Sequence, residues 1–360
     1  MSVNLENYLK SGMENILRGA INVSRFDMQQ SLFMAGFVRS AKKASARRDE
    51  YKNMGEHIPP FLIASITSRC NLHCAGCYAR AVNSCHDGEP TGQLKRDEWK
   101  RIFDEARDIG VSFIILAGGE PMIRRDIIEA AGKVQEIIFP IITNGTLIND
   151  EYIKLLKKRR NLIPVISIEG GEYITDKRRG KGTYAIIDKA MNLLKSNRII
   201  TGASITVTKE NLDDVLSDGY VTWLGEKGCS VVLFIEYVDA SGKSQLSIGD
   251  EERKIMEERL NELRDKHSNM LLIAFPGDER KAGGCLAAGR GFFHINFQGG
   301  AEPCPFSPYS DVNIRDTNLR AALKSDLFRK LNESDLLNKE HRGGCVLFEQ
   351  DDEVKELLSV

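Results

Sequence analysis

The sequence predicts an α/β fold: an open (β/α)6 barrel with an N-terminal helical extension and a small C-terminal α+β extension. Apolar runs rich in Ile, Val and Phe recur at about 61–67, 112–117, 138–143, 164–168, 202–207 and 230–236. Amphipathic segments follow them at about 95–109, 124–137, 149–159, 183–196, 211–227 and 249–267. Runs that are apolar throughout and alternate with helices indicate parallel strands joined by right-handed crossovers. Helix signals punctuate the pattern, with Gly110 and Gly228 as stops and Asn149 as a start. Six such units suit an open, partial TIM-type barrel better than a closed eightfold one. A doubly wound open sheet fits the same alternation.

In chain order, residues 1–58 read as a helical extension, with apolar positions at helical spacing (Leu9, Met13, Ile16 and Leu17, then Met28, Leu32, Phe33 and Phe37). Residues 59–275 hold the barrel and 276–360 the C-terminal extension. Between Arg39 and Arg48 the chain carries five basic residues and no acid. That run suits contact with an anionic partner or membrane headgroups. The acids Asp49, Glu50 and Glu56 follow at once and favour a solvated helix face packed on the main domain. A net charge of −1 gives no bulk attraction to nucleic acid. No apolar run reaches the roughly 18 residues of a membrane span, and the first residues lack the basic start and apolar centre of a secretion signal. The expectation is a cytoplasmic enzyme whose eight cysteines are reduced thiols or metal ligands.

Ligands of such folds collect at the carboxyl ends of the strands. There the sequence places Cys70, Cys74 and Cys77, then Gly118–Gly119–Glu120–Pro121, Thr143–Asn144–Gly145, Ser167–Ile168–Glu169–Gly170, Thr206–Val207–Thr208, and Glu236–Tyr237. Glycine-rich strand ends and Asn-Gly are ordinary turns when met singly, and a lone C-x2-C is more often zinc than iron–sulfur. Here a C-x3-C-x2-C loop and five polar strand ends fall in consecutive units. Three thiolates can hold three irons of a cubane, whereas ferredoxin-type cubanes use four. The fourth iron is left for another ligand.

The stretch Ser68–Arg69–Cys70–Asn71–Leu72–His73–Cys74–Ala75–Gly76–Cys77–Tyr78, followed by Gly118–Pro121, Ile166–Gly170 and Asp176–Gly182, resembles the core of radical S-adenosylmethionine (radical SAM) enzymes over residues 61–237. The resemblance implies a [4Fe–4S] cluster on Cys70, Cys74 and Cys77 with S-adenosylmethionine on its open iron. It implies cofactor contacts from Gly118, Gly119, Glu120, Asn144, Ser167 and Glu169. A fork from Arg179 would hold the cofactor carboxylate, with Arg178 as the alternative. The implied chemistry is one-electron cleavage of the sulfonium, giving methionine and a 5′-deoxyadenosyl radical that takes a hydrogen atom from substrate. A one-electron donor such as flavodoxin or ferredoxin is the implied partner. Glu236 and Tyr237 would face the substrate, and either could be an acid–base group; Glu236 could equally bind cofactor or backbone.

Cys285 to Cys304 reads as a short hairpin flanked by thiols, and Cys345 follows Gly343–Gly344. This arrangement resembles the SPASM/Twitch extension, with Gly299 five positions before Cys304. The central C-x2-C-x5-C-x3-C run of the full SPASM pattern is absent, so the resemblance implies one auxiliary cluster at most, on Cys285, Cys304 and Cys345. Ordinary buried cysteines, or a zinc site completed by His294 or His341, are the other readings of these thiols. Cys229 reads as a core residue and Cys85 as a rim loop residue. The expected substrate is a peptide, a protein or a small molecule. A protein that carries electrons or scaffolds metal without SAM chemistry is the rival reading; it leaves the Gly118–Pro121 loop unexplained.

Overall fold

The computed structural model describes residues 28–240, 245–281, 283–339 and 345–359. Leu9, Met13, Ile16, Leu17, His341, Gly343 and Gly344 lie outside them. Strands β1 (Phe61–Ser65), β2 (Phe113–Ala117), β3 (Phe139–Thr143), β4 (Leu162–Ser167), β5 (Thr201–Val207) and β6 (Cys229–Glu236) pair in parallel and in sequence order, with helices between them. The sheet does not close, and the fold is the open partial barrel expected from the alternation.

Two additions extend it. The run Leu271–Phe275 forms a seventh parallel strand, β7, registered on β6 from Val231↔Leu271 to Ile235↔Phe275. On the other edge, β8 (His294–Ile295) pairs in parallel with β1 and antiparallel with β9 (Ala301–Glu302). The C-terminal hairpin is therefore part of the barrel sheet, and it covers the edge that β1 would otherwise expose.

Most helices follow the amphipathic segments, and the departures have local causes. The segment 124–137 is helical only over Arg125–Ala131. Beyond it the chain turns, because the buried Asn161 amide donates to the carbonyls of Ala131, Val134 and Ile137 at 3.3, 2.9 and 3.1 Å. The segment 211–227 splits into Leu212–Val215 and Asp218–Glu226. Ser217 caps the second piece by accepting from Tyr220 N at 3.1 Å.

The N-terminal helix, Met28–Asn53, buries Gln30, Met34, Phe37, Ala41 and Ala44, spaced alternately by four and three. That stripe lies on the amino ends of the strands. Phe37 meets Phe113 edge-on at 5.6 Å, and Phe61 stacks on Phe113 at 5.0 Å. From the basic run, Arg47 donates to Arg107 O at 2.8 Å and Arg48 to Gly110 O. Both thus cap the carboxyl end of helix Arg96–Ile109, where cations are favoured. Arg39, Lys42 and Lys43 stay exposed. Replacing Phe37 by Ala is expected to cost about 3–5 kcal/mol, because Phe37 is 1% exposed and seals one end of the barrel. Urea unfolding reads this; a loss under about 1 kcal/mol would mean the helix is dispensable to the fold.

Candidate active site

The cysteine loop is seated on the loop after β2. Gly119 N donates to Thr67 O at 2.9 Å and Glu120 N to Arg69 O at 2.7 Å. A Cβ on Gly118 would stand 2.3 Å from Thr67 O, and one on Gly119 2.1 Å from Arg69 O. Neither position can carry a side chain. In this structure the two glycines admit the cysteine loop itself.

Glu120 is buried, and its carboxylate accepts from Met122 N at 2.9 Å, Thr143 Oγ1 at 2.8 Å and Asn144 N at 2.8 Å. It therefore orients two strand ends. Burial outweighs these bonds and pushes its pKa up to about 7 from an ordinary 4.5. The folded chain then holds the proton more tightly than the unfolded one. The associated stability is full below about pH 4.5 and is lost as pH rises through about 7, a change of about 3 kcal/mol. Relative to Glu120→Gln, the wild-type chain is expected to lose about that much between about pH 5 and about pH 8. A pH-independent difference in urea-derived stability would contradict this.

Further bonds fix the loop from its other sides. Asn144 Nδ2 donates to Asn71 Oδ1 at 2.9 Å, and Asn71 Nδ2 to Thr146 Oγ1 at 2.8 Å. Ala75 N donates to Arg178 O at 2.8 Å. Asn144, expected to touch cofactor, here ties β3 to the cysteine loop.

Cys70, Cys74 and Cys77 are half-buried free thiols. Cys70 is pulled down to about 6, first by a hydrogen bond from Cys85, with Leu72 N, Arg80 and Arg179 adding to it. Burial pushes Cys74 up, against the pull of Arg179 and Arg178. Cys85 is buried and raised, first by its bond to Cys70. This thiol of a rim loop thus joins the cysteine group; its position beyond Cys77 was the only signal in the sequence.

Glu169, fully buried, holds both arginines. Its Oε1 accepts from Arg178 Nη1, from Arg179 Nη2 and from Arg179 Nε at 2.9 Å, and its Oε2 from Thr206 N at 3.1 Å. Arg178 Nε is buried with no hydrogen-bond partner among the described residues, as is Ser68 Oγ. Among those residues no three His, Cys, Asp or Glu side chains gather at one ion-sized point. A cubane asks for a wider arrangement, since each thiolate meets its own iron. Three thiols on one loop, two guanidiniums beside them and an orphaned donor fit such a cluster carrying a ligand with a carboxylate.

Ser167 is nearly buried and registers with Ser204 across β4 and β5. Tyr237 lies over the cysteine loop: a Cβ on Gly76 would be 2.6 Å from its hydroxyl. Glu236 goes elsewhere. Its carboxylate accepts from Arg253 Nε at 2.9 Å, a buried residue of helix Asp250–Lys266. Neighbours on a strand point to opposite faces, and Glu236 turns to the helix layer. That pairing sets the Glu236 carboxylate against helix Asp250–Lys266.

In the C-terminal segment Cys304 is hydrogen-bonded to Cys345, which with burial raises its pKa. Burial likewise raises Cys285, with Glu279 and Cys345 nearby. His294 does not complete a metal site with them. Its Nδ1 lies 2.7 Å from Glu302 Oε2 and its Nε2 2.7 Å from Ser65 Oγ, all three residues being buried. This chain zips the hairpin to β1 and was not foreseen; its parts are far apart in sequence. Cys229 is a core residue whose thiol burial pushes up to about 12.

Residues 64–218 match the Radical SAM superfamily. The AdoMet-dependent heme synthase of Methanosarcina barkeri is 27% identical over 318 residues, covering 81% of this chain and 88% of that protein. The subtilosin biosynthesis protein AlbA of Bacillus subtilis is 26% identical over 324 residues, 85% of this chain and 69% of its own. Among solved structures, Streptococcus suis SuiB bound to S-adenosylmethionine superposes with a TM-score of 0.68 at 17% identity, over 84% of this chain and 78% of that one. That likeness concerns the fold.

Proposed function

We propose, for a chain that residues 64–218 make an enzyme of the radical SAM superfamily, that Cys70, Cys74 and Cys77 hold a [4Fe–4S] cluster with S-adenosylmethionine on its fourth iron. When bound, this pair supplies one-electron cleavage of the sulfonium and a 5′-deoxyadenosyl radical that removes hydrogen from a substrate C–H bond. The protein's own part is position and exclusion of water. Arg178 and Arg179 set a positive field beside the thiols. The free Nε of Arg178 supports that residue as the donor to the cofactor carboxylate. Glu169 aims both guanidiniums, and Tyr237 covers the loop at Gly76.

In this reading Cys285, Cys304 and Cys345 carry one auxiliary [4Fe–4S] cluster, within an extension running from 276 to 360. The substrate, a peptide, protein or small molecule, lies between the two cysteine groups. AlbA by its name serves the biosynthesis of a bacteriocin, and the Methanosarcina protein is a heme synthase; each favours one of those classes. A flavodoxin or ferredoxin supplies the electron.

The observation that carries the reading is the set of three thiols on one loop beside two arginines held by one buried carboxylate. Anaerobic incubation of the reconstituted chain with S-adenosylmethionine and dithionite should release 5′-deoxyadenosine. Release no greater than from a Cys70→Ala control, with iron retained, would leave a metal scaffold without SAM chemistry.

A further inference from the structure

Tyr78 follows Cys77 directly, and Phe306 stands two residues after Cys304. Their rings touch, with centroids 4.5 Å apart and planes tilted by 45°. Both are held by backbone bonds near a cysteine. Ala81 N donates to Cys77 O at 3.1 Å and Val82 N to Tyr78 O at 2.9 Å, closing the short helix Tyr78–Ala81. Ser307 N donates to Cys304 O at 3.0 Å, closing a turn that presents Phe306.

We infer that the Tyr78–Phe306 contact is the electron route between the two cysteine-held centres. The inference rests on the two-centre reading above. Tunnelling weakens exponentially with the gap between conjugated groups, and here two π-systems in contact bridge the segments that carry Cys77 and Cys304. One electron moves, from the centre at Cys285, Cys304 and Cys345 to the centre at Cys70, Cys74 and Cys77, or back. One centre is oxidised as the other is reduced; no bond forms or breaks and no proton leaves Tyr78. A low-potential one-electron reductant supplies the electron at the start. Contacts elsewhere already fasten the hairpin to the barrel, namely His294 with Ser65 and β8 with β1. The ring pair is therefore not needed to hold the two parts together.

The test uses the full chain with both clusters reconstituted and a limiting pulse of photoreduced deazaflavin. Rapid-freeze electron paramagnetic resonance then follows how the electron distributes between the centres. Wild type and Tyr78→Phe are expected to equilibrate alike. Tyr78→Leu and Phe306→Leu are each expected to equilibrate more slowly by about an order of magnitude, with unchanged iron content and midpoint potentials. A purely structural role would move iron content or the potentials and leave the rate of intact molecules alone. Wild-type rates in both leucine variants, with iron for two cubanes present, would overturn the route alone. Iron for one cubane in the wild-type chain would overturn the two-centre reading and the route with it.

Discussion

A chain with Cys70, Cys74 and Cys77 all changed to Ala is expected to release no 5′-deoxyadenosine while keeping about half its iron and sulfide. The first loss follows because the three thiols belong to one loop, and among the described residues no group of three His, Cys, Asp or Glu could hold a metal ion in their place. His73, the histidine of that loop, is exposed and bonds Asp87 at 3.0 Å. Retention of the remaining iron follows from the separate enclosure of the C-terminal thiols. Cys304 and Cys345 are 4% and 9% exposed and hydrogen-bonded to each other, and the segment of Cys304 is fixed by β8 and β9. Iron, sulfide and zinc assays on anaerobically reconstituted protein read the outcome. A variant holding zinc but no iron would end the auxiliary-cluster reading and leave the superfamily chemistry untouched.

Glu169→Gln is expected to unfold about 3–5 kcal/mol more easily than wild type, the cost of removing one partner from a buried ion pair. The carboxylate is fully enclosed, and the side chains of Arg178 and Arg179 are 16% and 10% exposed. An amide keeps one acceptor for the guanidiniums but removes the charge that balances them, and its N–H pair then faces Thr206 N–H, which loses its acceptor. The effect should also reach the cysteine loop, since Arg178 O holds Ala75 N. Weaker retention of iron by Glu169→Gln, set against an unchanged denaturant slope, would separate local loosening from a changed denatured state. Stability within about 1 kcal/mol of wild type would show that the buried charges are screened by something other than Glu169.

The barrel was legible because its signal is local and repeated. Each strand is a short apolar run and each helix an amphipathic one, so six units could be read without knowing how they pack. The cysteine trio and the polar strand ends were legible for the same reason, as each is a few residues long and the topology sends all of them to one rim. Helix ends failed where a distant side chain claimed the backbone, as Asn161 does after Ala131. β7 was missed although Leu271–Phe275 reads as a strand; the six-unit count left no place for it.

Spacing along the chain is enough to specify the parallel α/β alternation, the three-thiol loop and the rim it occupies. Tertiary structure alone decided which neighbour of a pair enters the site. Tyr237 covers Gly76 while Glu236 pairs with Arg253, since a strand alternates its side chains and only the sheet's placement says which face is inward. It also decided that Glu169 serves both arginines, that Cys85 meets Cys70, and that Ser65, His294 and Glu302 form one chain. These contacts join residues between 8 and 229 positions apart along the chain, and no local periodicity records such a meeting.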